Sequence, residues 1–325
     1  MKSLCVALVA VSILNACTAT TSADVAADTP VWQSPLHADH ALAGQVWDVR
    51  ADAAITQAQL LSVLQQSRIV ILGEKHDNPD HHTLQRRMLN ALSASGVLAA
   101  VSFEMLDSSQ QAALDTLANV DLQSEAAVRA HLQWDDAGWE WSFYGPLLLD
   151  AARAGMPIRA ANISMDEMMT VYAGPLAPET AQALGESQIE KLFTEIEESH
   201  CGMLPESQFP AMVRVQQARD AAMAGSLATH DEGVHVLIAG NFHARRDLGV
   251  TNYLPAVDGP VVSVGILEVS PELQEPQEYL QAFSDVLPYD YLWFTPAVTA
   301  EDYCASLREG RDQAALNASA SRSGN

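Results

Sequence analysis

Two stretches of the chain end in the same way. "RIVIL" (68–72) runs into Gly73-Glu74-Lys75-His76, and "VHVLIAG" (234–240) runs into Asn241-Phe242-His243. Each is a strand-forming apolar run followed by Gly-x-x-His. "RIVIL" is too continuously apolar for a strand with one wet face, so both of its faces are expected to be covered. The pattern between and around the two runs alternates strand and helix. Asn78-Pro79 is a helix start, an Asx cap followed by proline at the first helical position. The helix it opens stops at Gly96. "VLAAVSF" is the next buried strand and ends at Glu104, and helices follow around 108–118, 124–133 and 143–155. "MPIRAANI" is a strand ending at Asn162. Strand, helix, strand at this spacing implies an α/β fold, a mainly parallel sheet flanked by helices with right-handed crossovers.

From Met165 to His230 there is helical periodicity and no strand, which reads as a helical insertion over 165–230 between sheet strands. "VVSVGILEV" and "YDYLWFTP" return the chain to the sheet. "QVWDV" is a short early strand and "TQAQLLSVLQQ" an early helix. The domain is expected over 36–300, with a disordered tail over 301–325.

The N-terminus reads as separate from the fold. Lys2 and the short apolar run to Leu14 resemble a signal peptide over 1–16, and "LNAC" resembles the lipobox of bacterial lipoproteins. There the cysteine, here Cys17, carries lipid (palmitate among its acyl chains), and Thr18 in the next place favours outer-membrane delivery. Asn15 departs from the usual small or apolar residue, and an ordinary secretory signal is the competing reading. Residues 17–35 read as a flexible tether. Of the remaining cysteines, Cys201 and Cys304 are compatible with a disulfide in an oxidising compartment, and sequence leaves bonded and free forms equally open. The 17 basic and 41 acidic residues give a net charge of −24, which repels phosphate backbones and argues against nucleic acid as a partner.

Ligands of open parallel sheets bind outside the carboxyl ends of the strands. At those ends the sequence puts Glu74 and His76, then Glu104, Asn162, and finally His243 with Arg245. One such residue is usually structural; convergence from four strands points to a cleft. Glu74, His76, Glu104 and His243 are candidate ligands for a divalent metal (Mn, Co or Zn) that would polarise water. Without metal, His76 is a candidate general base oriented by a glutamate. Of the neighbours His81 and His82, one reaches the site and the other is expected to be solvated.

"GEKHDNPDHH", "FEM", "HCGMLP", "QQARDAAMA", "GNFHARRDLGV" and "YLWFTP", between about His40 and Pro296, resemble the ChaN-like haem-binding lipoproteins of the Tiki superfamily. That superfamily also takes in erythromycin esterases and Tiki-type metalloproteases. Phe242 stands where a small residue is more usual, so a bulkier crevice floor is expected. The resemblance implies a haem-binding envelope protein in iron uptake, with haem held by a tyrosine, and a haem-uptake receptor or a second copy as partner. Candidate haem contacts are Tyr144, Tyr172, His200 and Met203, with Arg245 and Arg246 for the propionates. Tyr144 reads equally as a core residue with a bonded hydroxyl. A carboxylate-rich cleft should repel propionates, which favours haem on the helical insertion. The competing readings are a metal-dependent hydrolase and a non-catalytic envelope scaffold.

Overall fold

The computed structural model describes residues 31–228, 231–281 and 287–308. Its core is one sheet of eight strands. They are β1 (Val46–Asp48), β2 (Ala53–Ile55), β3 (Ile69–Glu74), β4 (Leu98–Asp107), β5 (Ile158–Asn162), β6 (Val234–Gly240), β7 (Val261–Glu268) and β8 (Tyr291–Thr295). In space they run β2-β1-β8-β7-β3-β6-β4-β5. Strands β3 to β8 are parallel, and β1 and β2 form an antiparallel ribbon on the β8 edge. The α/β expectation holds.

The helices are α1 (Gln57–Gln65), α2 (Pro79–Ala94), α3 (Gln111–Leu114), α4 (Glu125–Leu132), α5 (Trp141–Arg153), α6 (Met165–Ala173), α7 (Pro178–Ala181), α8 (Glu186–Ser199), α9 (Phe209–Leu227) and α10 (Asn241–Ala244). Strand alternation sorts the core into two layers. Val70, Leu72, Val236 and Ile238 pack with Leu84, Leu92 and Leu148 on one face. Ile69, Ile71, Leu237 and Ala239 pack with Met223 and Leu227 on the other.

Chain order explains why the two Gly-x-x-His segments meet. From β3 the chain crosses to β4 and β5, leaving a gap that β6 fills only after the helical insertion. It then continues to β7 on the far side of β3. The direction of progress therefore reverses beside β3, which is where open α/β sheets form a ligand crevice. The register pairs Gly73 with Ala239 and Glu74 with Gly240, so both segments leave the sheet side by side.

Several boundaries differ from expectation. Strand β4 runs to Asp107, past Glu104, because its register with β5 shifts between Phe103 and Asp107. The ribbon strand β2 is too short and too exposed to carry a periodic signal. Residues 33 and 34 are not tether: the backbone amides of Gln33 and Ser34 donate to the Asp80 carboxylate, both at 2.9 Å. Residues 303–308 are helical rather than disordered, and Cys304 is bonded to Cys201 with 5.3 Å between their Cα atoms. The signal peptide, Cys17 and the tether over 17–30 lie outside the described residues, as does 309–325.

Asn78 closes the domain where α2 begins. Its buried Oδ1 accepts from Asp80 N at 2.9 Å and Ser34 Oγ at 3.0 Å. Its Nδ2 donates to Glu268 at 2.8 Å and to the Pro296 carbonyl at 3.0 Å, joining β7 and β8 to the helix start. Removing the amide abolishes the cap and leaves buried partners unpaired. Asn78→Ala is expected to cost about 2 kcal/mol, read as a lower urea midpoint with an unchanged slope.

Candidate functional site

Glu74 ends β3 with its side chain fully buried. Its Oε1 accepts from Tyr144 Oη at 2.6 Å and from His76 Nδ1 at 2.8 Å. His82 Nδ1 lies 3.2 Å from Oε2, outside hydrogen-bonding geometry but close enough for charge attraction. The other nitrogen of His82 donates to the His76 carbonyl at 2.9 Å, which ties α2 to the turn. Burial alone would raise the Glu74 carboxyl, but His82 and His76 outweigh it and hold the group well below the carboxylate range. His76 is lifted above its ordinary value in return: burial opposes the charge, and Glu74 and Glu104 more than offset that.

Two strands away, Glu104 makes the matching arrangement. Gly240 N donates to Oε2 at 2.8 Å. Arg219 Nη2 meets Oε1 at 2.6 Å, and His243 Nε2 lies 3.3 Å from the same oxygen. His243 Nδ1 donates to Asp220 Oδ1 at 2.7 Å. The imidazole thus sits between two carboxylates. Burial would depress it, but Glu104 and Asp220 prevail and push it up to about 9. His243 is a buried cation at neutral pH. Glu104 is held well below the carboxylate range because His243 and Arg219 outweigh its burial.

These groups line one cavity of about 670 Å³, which Glu74, His76, Glu104 and His243 share. Phe242 is part of its wall, as the bulkier floor anticipated, beside Ile196, Met212 and Val215. Asn162 stands just outside. Its Nδ2 donates to the Glu104 carbonyl at 3.0 Å, its Oδ1 accepts from Arg219 Nε at 3.2 Å, and it lines a neighbouring cavity of about 520 Å³. Glu104 and Arg219 border both spaces.

Other candidates are placed elsewhere. Arg245 turns away from the cleft: its guanidinium binds Asp247 at 2.9 and 2.7 Å and also Glu195. Arg246 meets Asp290 at 2.7 Å and the Val261 carbonyl. With carboxylate partners of their own, neither is held ready for a propionate. Tyr144 is 1% exposed, and burial and the neighbouring Glu74 push its phenol far up, so it serves as a donor inside the core and not as an iron ligand. His81 is buried rather than solvated. It accepts from Lys75 N and donates to Thr295 Oγ1 at 2.9 Å, and burial brings it down to about 3, so it stays neutral.

The divalent-metal expectation fails. Among the described residues no group of three or more His, Cys, Asp or Glu is arranged to hold a metal ion. The physical reason is pairing: each carboxylate is already taken up by its own imidazole, phenol or guanidinium. The site also contains members that strand-end reasoning missed. Gln216, Arg219 and Asp220 lie at i, i+3 and i+4 within "QQARDAAMA", and α9 lays them across the strand ends. Their helical spacing was the available signal.

On the insertion, α6 buries none of its residues. Met165 and Met169 are 64% and 57% exposed, and with Tyr172 they fall at i, i+4 and i+7 on one face. The Tyr172 hydroxyl has no protein partner among the described residues. Arg214 Nη2 donates to the Tyr172 carbonyl at 2.7 Å and Nε to that of Val171 at 3.2 Å, with no carboxylate paired to it among the described residues. His200 lines the cleft and gives Nδ1 to the Ile196 carbonyl at 2.7 Å, and Met203 sits half-buried in the turn after α8.

Linkage follows from His243. A group raised from 6.5 to about 9 stabilises fully below 6.5, and the contribution fades as pH climbs through 9. The wild type should therefore lose on the order of 3 kcal/mol between pH 6.5 and 9.5. His243→Gln should be less stable at neutral pH and should lose markedly less than the wild type across that range, in urea melts at stepped pH, with the raised His76 keeping part of the slope.

The family profile described as "Haem-binding uptake, Tiki superfamily, ChaN" matches residues 60–254. Among solved structures, one titled for cofacial haem binding to ChaN of Campylobacter jejuni is 25% identical, with a TM-score of 0.65. It covers 76% of this chain and 95% of that one. An erythromycin esterase mutant, EreC in its open conformation, is 12% identical with a TM-score of 0.45 over 76% of this chain and 95% of that chain. No curated protein matches.

Proposed function

Since the chain belongs to the ChaN family of haem-binding uptake proteins in the Tiki superfamily, we propose that it binds haem on the outer face of α6, with Tyr172 as axial ligand. The observation that carries this reading is the pair of exposed methionines, Met165 and Met169, in line with half-buried Tyr172 on a helix with no fully buried residue. Exposed methionines in register on one face form an apolar, polarisable surface suited to a porphyrin plane. A phenolate supplies a hard oxygen ligand for ferric iron. Arg214, whose hydrogen bonds among the described residues go to backbone carbonyls, is the cation assigned to a propionate. Tyr144 is committed to Glu74, and His200 faces the cleft instead.

The same reading makes the chain an envelope lipoprotein for haem or iron uptake, anchored at the outer membrane through lipid on Cys17. A haem-uptake receptor or a second copy would meet the haem-bearing face. No described helix is long and apolar enough to cross a membrane.

Haem added to the purified protein should give a saturable Soret shift and a high-spin ferric spectrum. Tyr172→Phe should weaken binding at least tenfold and remove the phenolate charge-transfer band, while Tyr144→Phe leaves affinity unchanged. Equal affinity in Tyr172→Phe would rule out this ligand. For the anchor, Cys17→Ser should abolish acyl labelling and release the protein from the membrane fraction; retention would refute it.

A further inference from the structure

We propose that Met165 and Met169 are modification sites: hydrogen peroxide converts both thioethers to sulfoxides, and the oxidised face of α6 releases haem. The proposal rests on the haem reading given above for that face and adds its regulation. Among the described residues these two are the exposed methionines, at 64% and 57%. Met88, Met105 and Met223 are buried in the core, and Met156, Met168, Met203 and Met212 are half-buried. Oxygen transfer needs an oxidant in contact with a sulfur lone pair, so exposure ranks the sites. Hydrogen peroxide is uncharged, and neither the net charge of −24 nor the neighbouring Asp166 and Glu167 repels it.

Their place on the fold makes these two positions a switch and not a lesion. A sulfoxide inside a close-packed core disrupts it. On α6 it alters the outer surface only, because the helix is fixed by bonds that involve neither sulfur. Ser164 N and Oγ donate to the Glu167 carboxylate at 2.7 and 2.8 Å and close the first turn. Ser108 Oγ reaches the same carboxylate from the end of β4. At the other end Arg214 holds the carbonyls of Val171 and Tyr172. Met165 and Met169 stand four residues apart and so on one face, with Tyr172 three residues further on. The two sulfurs that a porphyrin plane would cover are therefore the two that an oxidant reaches first.

The step balances with peroxide as the oxidant. One peroxide oxygen bonds to a methionine sulfur as the O–O bond breaks, and the other oxygen leaves with both hydrogens as water. Each sulfur gives up two electrons and each peroxide accepts them. The sulfoxide is a strong hydrogen-bond acceptor that must shed its water before a porphyrin can lie on it. That cost falls on the haem-bound state alone. A thiol-dependent sulfoxide reductase returns the thioether, so the change is reversible.

The test oxidises the full apoprotein with hydrogen peroxide, removes the remainder with catalase, and only then titrates haem, so the porphyrin never meets the oxidant. Peptide mass mapping should find an added oxygen on Met165 and on Met169 while Met88, Met105 and Met223 stay unmodified, with the urea midpoint unchanged. Haem affinity should fall about tenfold and recover after treatment with methionine sulfoxide reductases for both epimers. Met165→Gln combined with Met169→Gln, which sets an amide dipole where the sulfoxide stands, should show the weaker affinity without peroxide. In the chain carrying Met165→Leu and Met169→Leu, peroxide should leave haem affinity where it stood before treatment. Uptake of oxygen by the core methionines ahead of these two overturns the proposal. So does haem affinity unchanged by oxidation of both, in a chain whose binding Tyr172→Phe weakens. If Tyr172→Phe leaves affinity unchanged, the haem reading falls and the proposal with it, and the two failures are thereby told apart.

Discussion

Two carboxylates buried at strand ends on either side of β6 set the terms for everything around them. An ionised carboxylate taken out of water is costly unless it is paired and hydrogen-bonded. Glu74 and Glu104 are each 2% exposed. Each is therefore met by donors or charged groups drawn from several elements: α2 supplies the nearby His82 imidazole and α5 the Tyr144 hydroxyl, and α9, α10 and the β6 end supply Arg219, His243 and an amide. The network couples the sheet to helices on both of its faces. Its geometry is over-determined, and that is what leaves His76 held on one side and open on the other.

The helical insertion has two distinct faces of work. Inward, α9 packs on the sheet with Met223 and Leu227 and extends Arg219 and Asp220 over the strand ends. Outward, α6 rides on α9 through Arg214 and exposes its methionines. The bond from Cys201 to Cys304 fastens the turn between α8 and α9 to the chain beyond β8. His200, just before that turn, is thereby held at the edge of the cleft. The outward side of α6, with its exposed methionines, and the inward side of α9 keep the proposed haem face apart from the strand-end cleft. The two strand-end carboxylates in the cleft are each paired with donors from the protein itself.

Local patterns were enough for the elements and for part of the site. The doubled run into Gly-x-x-His dictates two buried strands that end in a tight exit, since only a continuous apolar run satisfies both covered faces of a parallel strand. Asn78-Pro79 dictates a helix start by cap chemistry alone. Glu74, His76, Glu104 and His243 were legible as one group because parallel strands deliver their carboxyl ends to one edge. What those residues do to one another was not legible. Whether a carboxylate coordinates a metal or accepts from an imidazole depends on differences of an ångström between chains far apart in sequence. Glu104 and Arg219 are separated by 115 positions and meet at 2.6 Å. The same holds for the arginines: Arg245 and Arg246 look available until Asp247, Glu195 and Asp290 are seen to claim them. Tyr144 and Tyr172 are equivalent as letters, and only the packing of α5 against the strand ends and of α6 on α9 makes one a fully buried donor and leaves the other half-buried on the insertion. Periodicity and capping are local energies and can be read from neighbours in the chain. Pairing and exposure are decided by which surfaces the completed sheet brings together.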